Sequence, residues 1–361
     1  MDISKIDKNF KAQEVVAVDG KKTYPIPSAY FSLYGVNYDA KEKCFLRMPL
    51  DVAAKVSDGV ESLASYTAGG RLSFKTNSKI FAISVTHSGL RLMVHMAVTG
   101  STGFSLFENT AEGERFIANL TPQPQDDEAY TASVNLAGDT LREYVLYFPL
   151  YNLVNSLSVT LDENAVVERG NPYRDIAPIL YYGSSITQGG CASRPDTCYQ
   201  GIICKRNRID FINLGFSGNA RAEKEMVAYM GGVNCSLFVC DYDHNAPSVA
   251  HLKATHYPLY KQFREMQPNT PILFITKPDI MRDVNGEERL KIIRSTYLKA
   301  KKEGDKNVYF LSGKTFYGKR SPENFAVDGC HPTDYGFAVM ADKIYKKMCA
   351  IDKKFSEEKY D

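Results

Sequence analysis

An all-β, jelly-roll-like sandwich followed by an α/β domain with a doubly wound, five-stranded parallel sheet is the fold class that this sequence predicts. Two rhythms and a seam carry the prediction. Up to about residue 168, short alternating or aromatic-rich runs are separated by Gly, Asn, Ser or Pro. From about residue 176, compact apolar runs alternate with helical patterns. Between the two, Glu168-Arg169-Gly170-Asn171-Pro172-Tyr173-Arg174 is polar and turn-rich, as a linker is. The sandwich therefore takes residues 1–170 and the α/β domain residues 171–361.

In the first region the strand-like runs are residues 71–75, 80–85, 91–96, 103–107, 143–148 and 156–161, and residues 52–64 carry its single helical pattern. In the second region the apolar runs are residues 178–182, 209–213, 236–241, 271–276 and 308–311. They are continuous rather than alternating, which indicates strands buried on both faces of a parallel sheet. Helical patterns at residues 222–230, 249–266, 287–302 and 334–348 fill the intervals. Right-handed crossovers then place a site outside the carboxyl ends of the strands. The charged tail, residues 353–361, reads as a frayed end.

Composition excludes several classes. Forty-four Lys+Arg against 42 Asp+Glu leave a charge of +2, so neither nucleic acid nor an anionic membrane is an expected partner. No stretch approaches the roughly eighteen apolar residues that a membrane span needs. The eight cysteines form no CxxC pair and no zinc spacing, and read as reduced, mostly buried thiols. Residues 1–7 lack a basic segment followed by an apolar run, so no signal peptide is read there. A chain that begins naturally at Met1 is then cytoplasmic, and one trimmed from a longer precursor periplasmic or secreted.

The first parallel strand runs into Tyr182-Gly183-Ser184-Ser185-Ile186-Thr187-Gln188-Gly189-Gly190. This is neither a Walker loop nor a GxSxG elbow, which leaves Ser185 as a nucleophile in a different turn. Before the last helix comes Asp328-Gly329-Cys330-His331-Pro332, in which Asp328 can orient His331 within one local turn. Pro332 helps to hold that loop, and Asp334 reads as the cap of the helix after it. Acyl transfer also needs donors for an oxyanion, and these are expected after neighbouring strands. Gly218 follows the second strand and Asn245 the third, each about one βαβ unit further along the chain.

Taken in order, these blocks resemble the SGNH hydrolase superfamily, or GDSL-type esterases, in the two-domain bacterial branch with an N-terminal β-sandwich. Gly183-Ser184-Ser185-Ile186-Thr187 matches the first block, with Ser184 where Asp is more familiar. Gly218, Asn245 and Asp328-Gly329-Cys330-His331-Pro332 match the other three. The third block usually reads Gly-x-Asn-Asp; here it is Asp243-His244-Asn245-Ala246-Pro247. Leu46-Arg47-Met48-Pro49 and Tyr147-Phe148-Pro149-Leu150-Tyr151-Asn152 resemble the sandwich of that branch. The resemblance implies a flavodoxin-like sheet and a triad of Ser185, Asp328 and His331. It also implies an oxyanion hole of the Ser185 and Gly218 N–H groups and the Asn245 amide, with no metal and no cofactor. The expected substrate is a small-molecule or carbohydrate ester, with short acyl groups such as O-acetyl.

Arg194 and His244 are candidate substrate contacts, with a structural ion pair as the plainer reading of Arg194. His87 and His95 read as structural strand residues, and His251 and His256 as solvated helix residues. A Mg²⁺-dependent phosphohydrolase is the enzyme alternative, with Asp241 of Asp241-Tyr242-Asp243 as nucleophile and Thr276 as phosphate donor. The non-enzymatic alternative is a carbohydrate-binding protein.

Overall fold

The computed structural model describes residues 20–278, 283–317 and 322–356. Residues 1–7 and the last five residues of the tail lie outside the described residues; within the tail, Lys353–Phe355 forms a single helical turn.

Two antiparallel sheets face each other in the N-terminal region. One pairs Lys21–Ile26, Ser156–Asp162, Ile80–Thr86 and Ala129–Asn135 in that order. The other runs Val167–Arg169, Arg71–Thr76, Arg142–Tyr147, Phe104–Thr110, Gly113–Leu120, with Ser32–Tyr34 also on Arg71–Thr76. The period-two signal is explained by burial. Leu157, Val159 and Leu161 point inward, where Phe74 stacks on Phe81 at 5.3 Å, while their neighbours face outward.

Two expectations fail here for identifiable reasons. Residues 91–96 are not a strand: Ile80–Thr86, the strand before them, is already paired on both edges by Ser156–Asp162 and Ala129–Asn135, so it cannot form a hairpin with them. The helical pattern at 52–64 splits into Leu50–Val56 and Asp58–Ala64, since Ser57 is extended and its hydroxyl caps the second helix at Val60 N–H.

The C-terminal region holds the parallel sheet, in the order Phe211–Gly215, Ile179–Gly183, Leu237–Asp241, Ile272–Ile275, Val308–Leu311. This is the flavodoxin-like order, with the switch point at Ile179–Gly183. Tyr199–Asn207 and Asp334–Ile351 cover one face through Tyr199, Ile203, Phe337 and Ile344. Lys224–Gly231, Val249–Met266 and Gly286–Lys302 cover the other, where Phe263 stacks on Phe238 at 4.2 Å. Tyr199–Asn207 was not predicted. Most of its residues are buried between sheet and sandwich, so it has no polar face to produce a helical period. Among the described residues no helix is long and apolar enough to cross a membrane.

The two regions share core. Tyr66, Met96, Leu150 and Tyr151 pack with Ile186 and Tyr199 on one side of the parallel sheet, and Met48, Ala53 and Val60 pack with Leu214 and Phe216 on the other. Arg71 is fully buried in this seam, 2.7 Å from Asp210 and with its guanidinium 4.0 Å from the Phe211 ring centroid. Removing one partner of such a buried pair costs about 3–5 kcal/mol, so the seam resists opening. Arg47 donates to the carbonyls of Asn213 and Gly215, fixing the sandwich to the end of the second parallel strand.

Candidate active site

The turn after the first parallel strand is a single helical turn, Ser185–Gln188. Ser184 is its N-cap: its hydroxyl accepts the Ile186 N–H at 3.2 Å, and Gly189 ends the turn at φ +105°. Ser185 is thereby placed at the first helical position, over the switch point. From the sandwich, the Tyr151 hydroxyl donates to the Ser185 carbonyl at 3.3 Å.

His331 arrives on the loop before the last helix. That loop is clamped by a bridge between Ala326 and Pro332, with Val327 N–H donating to the His331 carbonyl at 2.9 Å. Asp328 Oδ1 accepts the N–H groups of His331 (2.7 Å) and Cys330 (3.0 Å), and Oδ2 contacts His331 Nδ1 at 2.7 Å. His331 Nε2 lies 2.8 Å from Ser185 Oγ. Partial burial pushes the Asp328 carboxyl up, but the hydrogen bonds from the His331 N–H, its imidazole and the Cys330 N–H outweigh it and hold the group at about 2. A hydroxyl, an imidazole and an ionised carboxylate thus form one continuous line, which can carry a proton off the hydroxyl and stabilise the resulting imidazolium.

The second and third loops meet beside this line. Gly218 adopts φ +73°, which favours glycine, and the loop is held by Gln188, whose Oε1 accepts Ser217 N–H while its Nε2 donates to the Leu150 carbonyl of the sandwich. Asn245 Oδ1 accepts the Ala220 N–H at 3.3 Å. With its oxygen engaged there, the carboxamide keeps Nδ2 as its donor. The third block's departure from Gly-x-Asn-Asp therefore does not separate Asn245 from the Gly218 loop.

Two family profiles match the chain. Residues 177–349 match the GDSL-like lipase/acylhydrolase family, and residues 24–167 match the N-terminus of SGNH-hydrolase-type esterases. The chain belongs to the GDSL-type acylhydrolases. As a member it is an ester hydrolase, not a non-catalytic binding protein. A crystal structure from Bacteroides ovatus, described as a GDSL-like lipase, is 25% identical over 92% of this chain and 98% of its own, with TM-score 0.83. A salicylyl-acyltransferase from a tetracycline biosynthetic pathway covers 92% of this chain and 98% of its own at 16% identity and TM-score 0.77. An acetyl xylan esterase from the rumen bacterium Butyrivibrio proteoclasticus covers 93% and 100% at 13% identity and TM-score 0.61. At those lower identities the likeness is one of fold. No curated protein sequence matches the chain.

Within this GDSL-type site, several candidate residues sit differently from expectation. Asp334 does not cap the last helix; Thr333 does, through Gly336 N–H, and Asp334 instead accepts from Ser193 N–H and the Thr197 hydroxyl. Arg194 pairs with the fully buried Asp196 and lies over the Phe116 ring, so it serves structure. His244 Nδ1 is 3.6 Å from Cys330 Sγ, at the edge of the triad loop. His87 is buried just past its strand, but His95 is exposed on the irregular segment before Val98–Ser101, with its ring 6.1 Å from that of His331. His256 is buried against Tyr242, and burial pushes its imidazole down to about 3; His251 contacts the Arg221 carbonyl.

Asp241 lies beneath the turn that carries Ser185, 1% exposed, with the Thr187 hydroxyl donating to it at 3.5 Å. Asp243 accepts Lys277 N–H, and the Thr276 hydroxyl oxygen accepts Gly313 N–H. The Asp-x-Asp pair is packed under the site rather than open to it. Cys191 Sγ lies with the Asp328 and His331 donor atoms inside a 4.8 Å set that has the composition of a metal site. Two of those three groups are already paired with each other, and burial pushes the Cys191 thiol up to about 12, so a metal would compete with the triad itself. A cavity of about 580 Å³ lined by Arg174, Lys205, Arg208 and Lys353 sits at the opposite end of the sheet, away from Ser185. Sequence reasoning missed Tyr151, Gln188 and Cys191 as site residues, although Tyr151 stands in the Tyr147–Asn152 segment and Gln188 and Cys191 directly follow the first block.

Proposed function

We propose that the protein is a serine esterase that removes short acyl groups, O-acetyl foremost, from carbohydrates through an acyl-enzyme. The unbroken Ser185–His331–Asp328 line, at 2.8 and 2.7 Å, is the observation that carries this reading. Ser185 Oγ attacks the ester carbonyl as His331 takes its proton, and the oxyanion is held by the N–H groups of Ser185 and Gly218 and by Asn245 Nδ2. His331 returns the proton to the departing alcohol; water then attacks the acyl-enzyme by the reverse relay and frees Ser185.

The short acyl preference rests on crowding. A side chain at Gly190 would begin 3.0 Å from the Tyr151 hydroxyl and 3.1 Å from both the His331 ring and the Ser185 carbonyl, so the space beside the nucleophile is narrow. The carbohydrate preference draws on the acetyl xylan esterase that shares the fold.

Turnover of p-nitrophenyl esters from acetyl to octanoyl, alongside acetate release from acetylated xylo-oligosaccharides, tests both preferences. Acetyl is expected to exceed octanoyl, with acetate released from the sugars; a rise in kcat/KM with chain length and no acetate release would overturn the reading. Asn245→Ala is expected to lower kcat on p-nitrophenyl acetate by about 10²–10³, or about 3–4 kcal/mol of transition-state stabilisation, with KM little changed. An unchanged kcat would remove Asn245 from the oxyanion hole.

A further inference from the structure

We propose that the sandwich segment at residues 91–96, with His95 at its tip, forms the wall of the active site that contacts the alcohol half of the ester and selects which alcohol is deacylated. The inference rests on the triad reading above and adds a role for the N-terminal region.

The segment is held in place from both ends. Arg91 N–H donates to Asn152 Oδ1 at 2.9 Å, and Met96 is buried in the core shared with Tyr66, Tyr151 and Ile186. Just beyond it, the Thr99 hydroxyl donates to the Ser193 carbonyl at 2.5 Å, tying the sandwich to the loop that follows the nucleophile turn. Between these anchors Met93 packs against the same core, while its neighbours are open. Leu92 is 55% exposed, Val94 is fully exposed, and His95 makes no hydrogen bond within the described residues. The His95 and His331 ring centroids are 6.1 Å apart and the rings are tilted by 41°, so His95 stands beside the His331 imidazole at the edge of the site.

Mechanism decides which half of the ester lies there. The base that removes the Ser185 proton must return it to the leaving oxygen, so that oxygen sits on the His331 side. The carbonyl oxygen belongs with the donors on the Gly218 and Asn245 loops. A group that flanks His331 from outside therefore meets the alcohol. An imidazole able to donate or accept, beside the exposed aliphatic side chains of Leu92 and Val94, suits a polyol such as a sugar ring, with hydroxyls on its rim and C–H groups on its faces.

The test uses the full chain as wild type, His95→Ala, His95→Gln and Leu92→Ala/Val94→Ala. One panel holds the acyl group at acetyl and varies the alcohol: p-nitrophenol, a simple alkanol, a monosaccharide and a xylo-oligosaccharide. The other holds the alcohol at p-nitrophenol and varies the acyl group from acetyl to butyryl. We expect His95→Ala and the double variant to lower kcat/KM about tenfold for the sugar acetates relative to the alkyl acetate, mainly through KM. His95→Gln, which keeps a hydrogen-bonding tip, should recover part of that loss. The acetyl-to-butyryl ratio should stay within about twofold. An alcohol ranking unchanged in all three variants, or an acyl ratio that moves as much as the alcohol ranking, would overturn the proposal. The invoked side chains are exposed, so a melting temperature close to wild type is expected to accompany the shift. If the wild type releases acetate from no sugar, the carbohydrate reading falls, while the alkyl and aryl acetates still report on the wall.

Discussion

Ser185→Ala is expected to lower kcat on p-nitrophenyl acetate by on the order of 10⁴–10⁶, with KM within a fewfold of wild type and no covalent label from an alkyl phosphonate ester. The size follows from what the hydroxyl does. In the proposed mechanism its oxygen forms the acyl bond, and among the described residues it is the hydrogen-bond partner of His331 Nε2 at 2.8 Å, so its loss would leave the relay with nothing to deprotonate. The donors that remain support only the residual acceleration that binding and oxyanion stabilisation give to direct attack by water, roughly 10³ over the uncatalysed reaction. The fold should be indifferent to the change. Ala is a good first-turn residue, Ser184 still caps Ile186, and the Ser185 carbonyl keeps its bonds from Gly190 N–H and Tyr151. A variant that retains activity within tenfold of wild type, or that still takes the phosphonate, would remove Ser185 as nucleophile.

The features legible in the sequence are those whose cause is local or repeats along the chain. The parallel strands read as continuous apolar runs because both faces of that sheet are covered, as at Ile179–Gly183 and Leu237–Asp241, where every residue is buried. Ser185, Gly218 and Asn245 could be placed at one level because a βαβ repeat returns the chain to the same sheet edge. Asp328 and His331 were legible as a pair because three residues suffice for a carboxylate to reach the imidazole.

What stayed hidden depends on contacts between distant parts of the chain. Residues 91–96 alternate like a strand, yet the strand before them, Ile80–Thr86, is taken up on both edges by distant segments, and their apolar side chains are divided between the shared core and solvent. His95 therefore lies beside His331 with no sequence signal to announce it. His256 falls on the helix Val249–Met266, but its face meets Tyr242 and Phe274 rather than water. Asp334 stands where a cap belongs; the cap passes to Thr333 because the Asp334 carboxylate is taken up by Ser193 and Thr197, 141 and 137 positions away. In each case the competing partner lies in another element, and local pattern carries no information about it.

Asp328→Asn is expected to lower kcat by about 10²–10⁴ without unfolding the loop. The substitution separates two tasks that the carboxylate performs at once. Oδ1 accepts the backbone N–H groups of Cys330 and His331, which an asparagine oxygen can also do. Oδ2 accepts from His331 Nδ1 and keeps Nε2 free to receive the Ser185 proton. An amide nitrogen in that place donates to Nδ1 instead, so the ring proton moves to Nε2 and the imidazole can no longer act as base. Because the Asp328 carboxyl is held at about 2, below its ordinary value of about 4, its hold on the loop is complete above about pH 4 and is lost as the pH falls towards 2. The asparagine variant should therefore lack that acid-dependent loosening, which hydrogen exchange at the Cys330 and His331 amides between pH 2 and 5 can follow. Asp328→Ala, which removes both tasks, should lose protection at those amides at every pH. A kcat for Asp328→Asn within threefold of wild type would show that His331 keeps its working tautomer without the carboxylate, and would remove Asp328 from the relay.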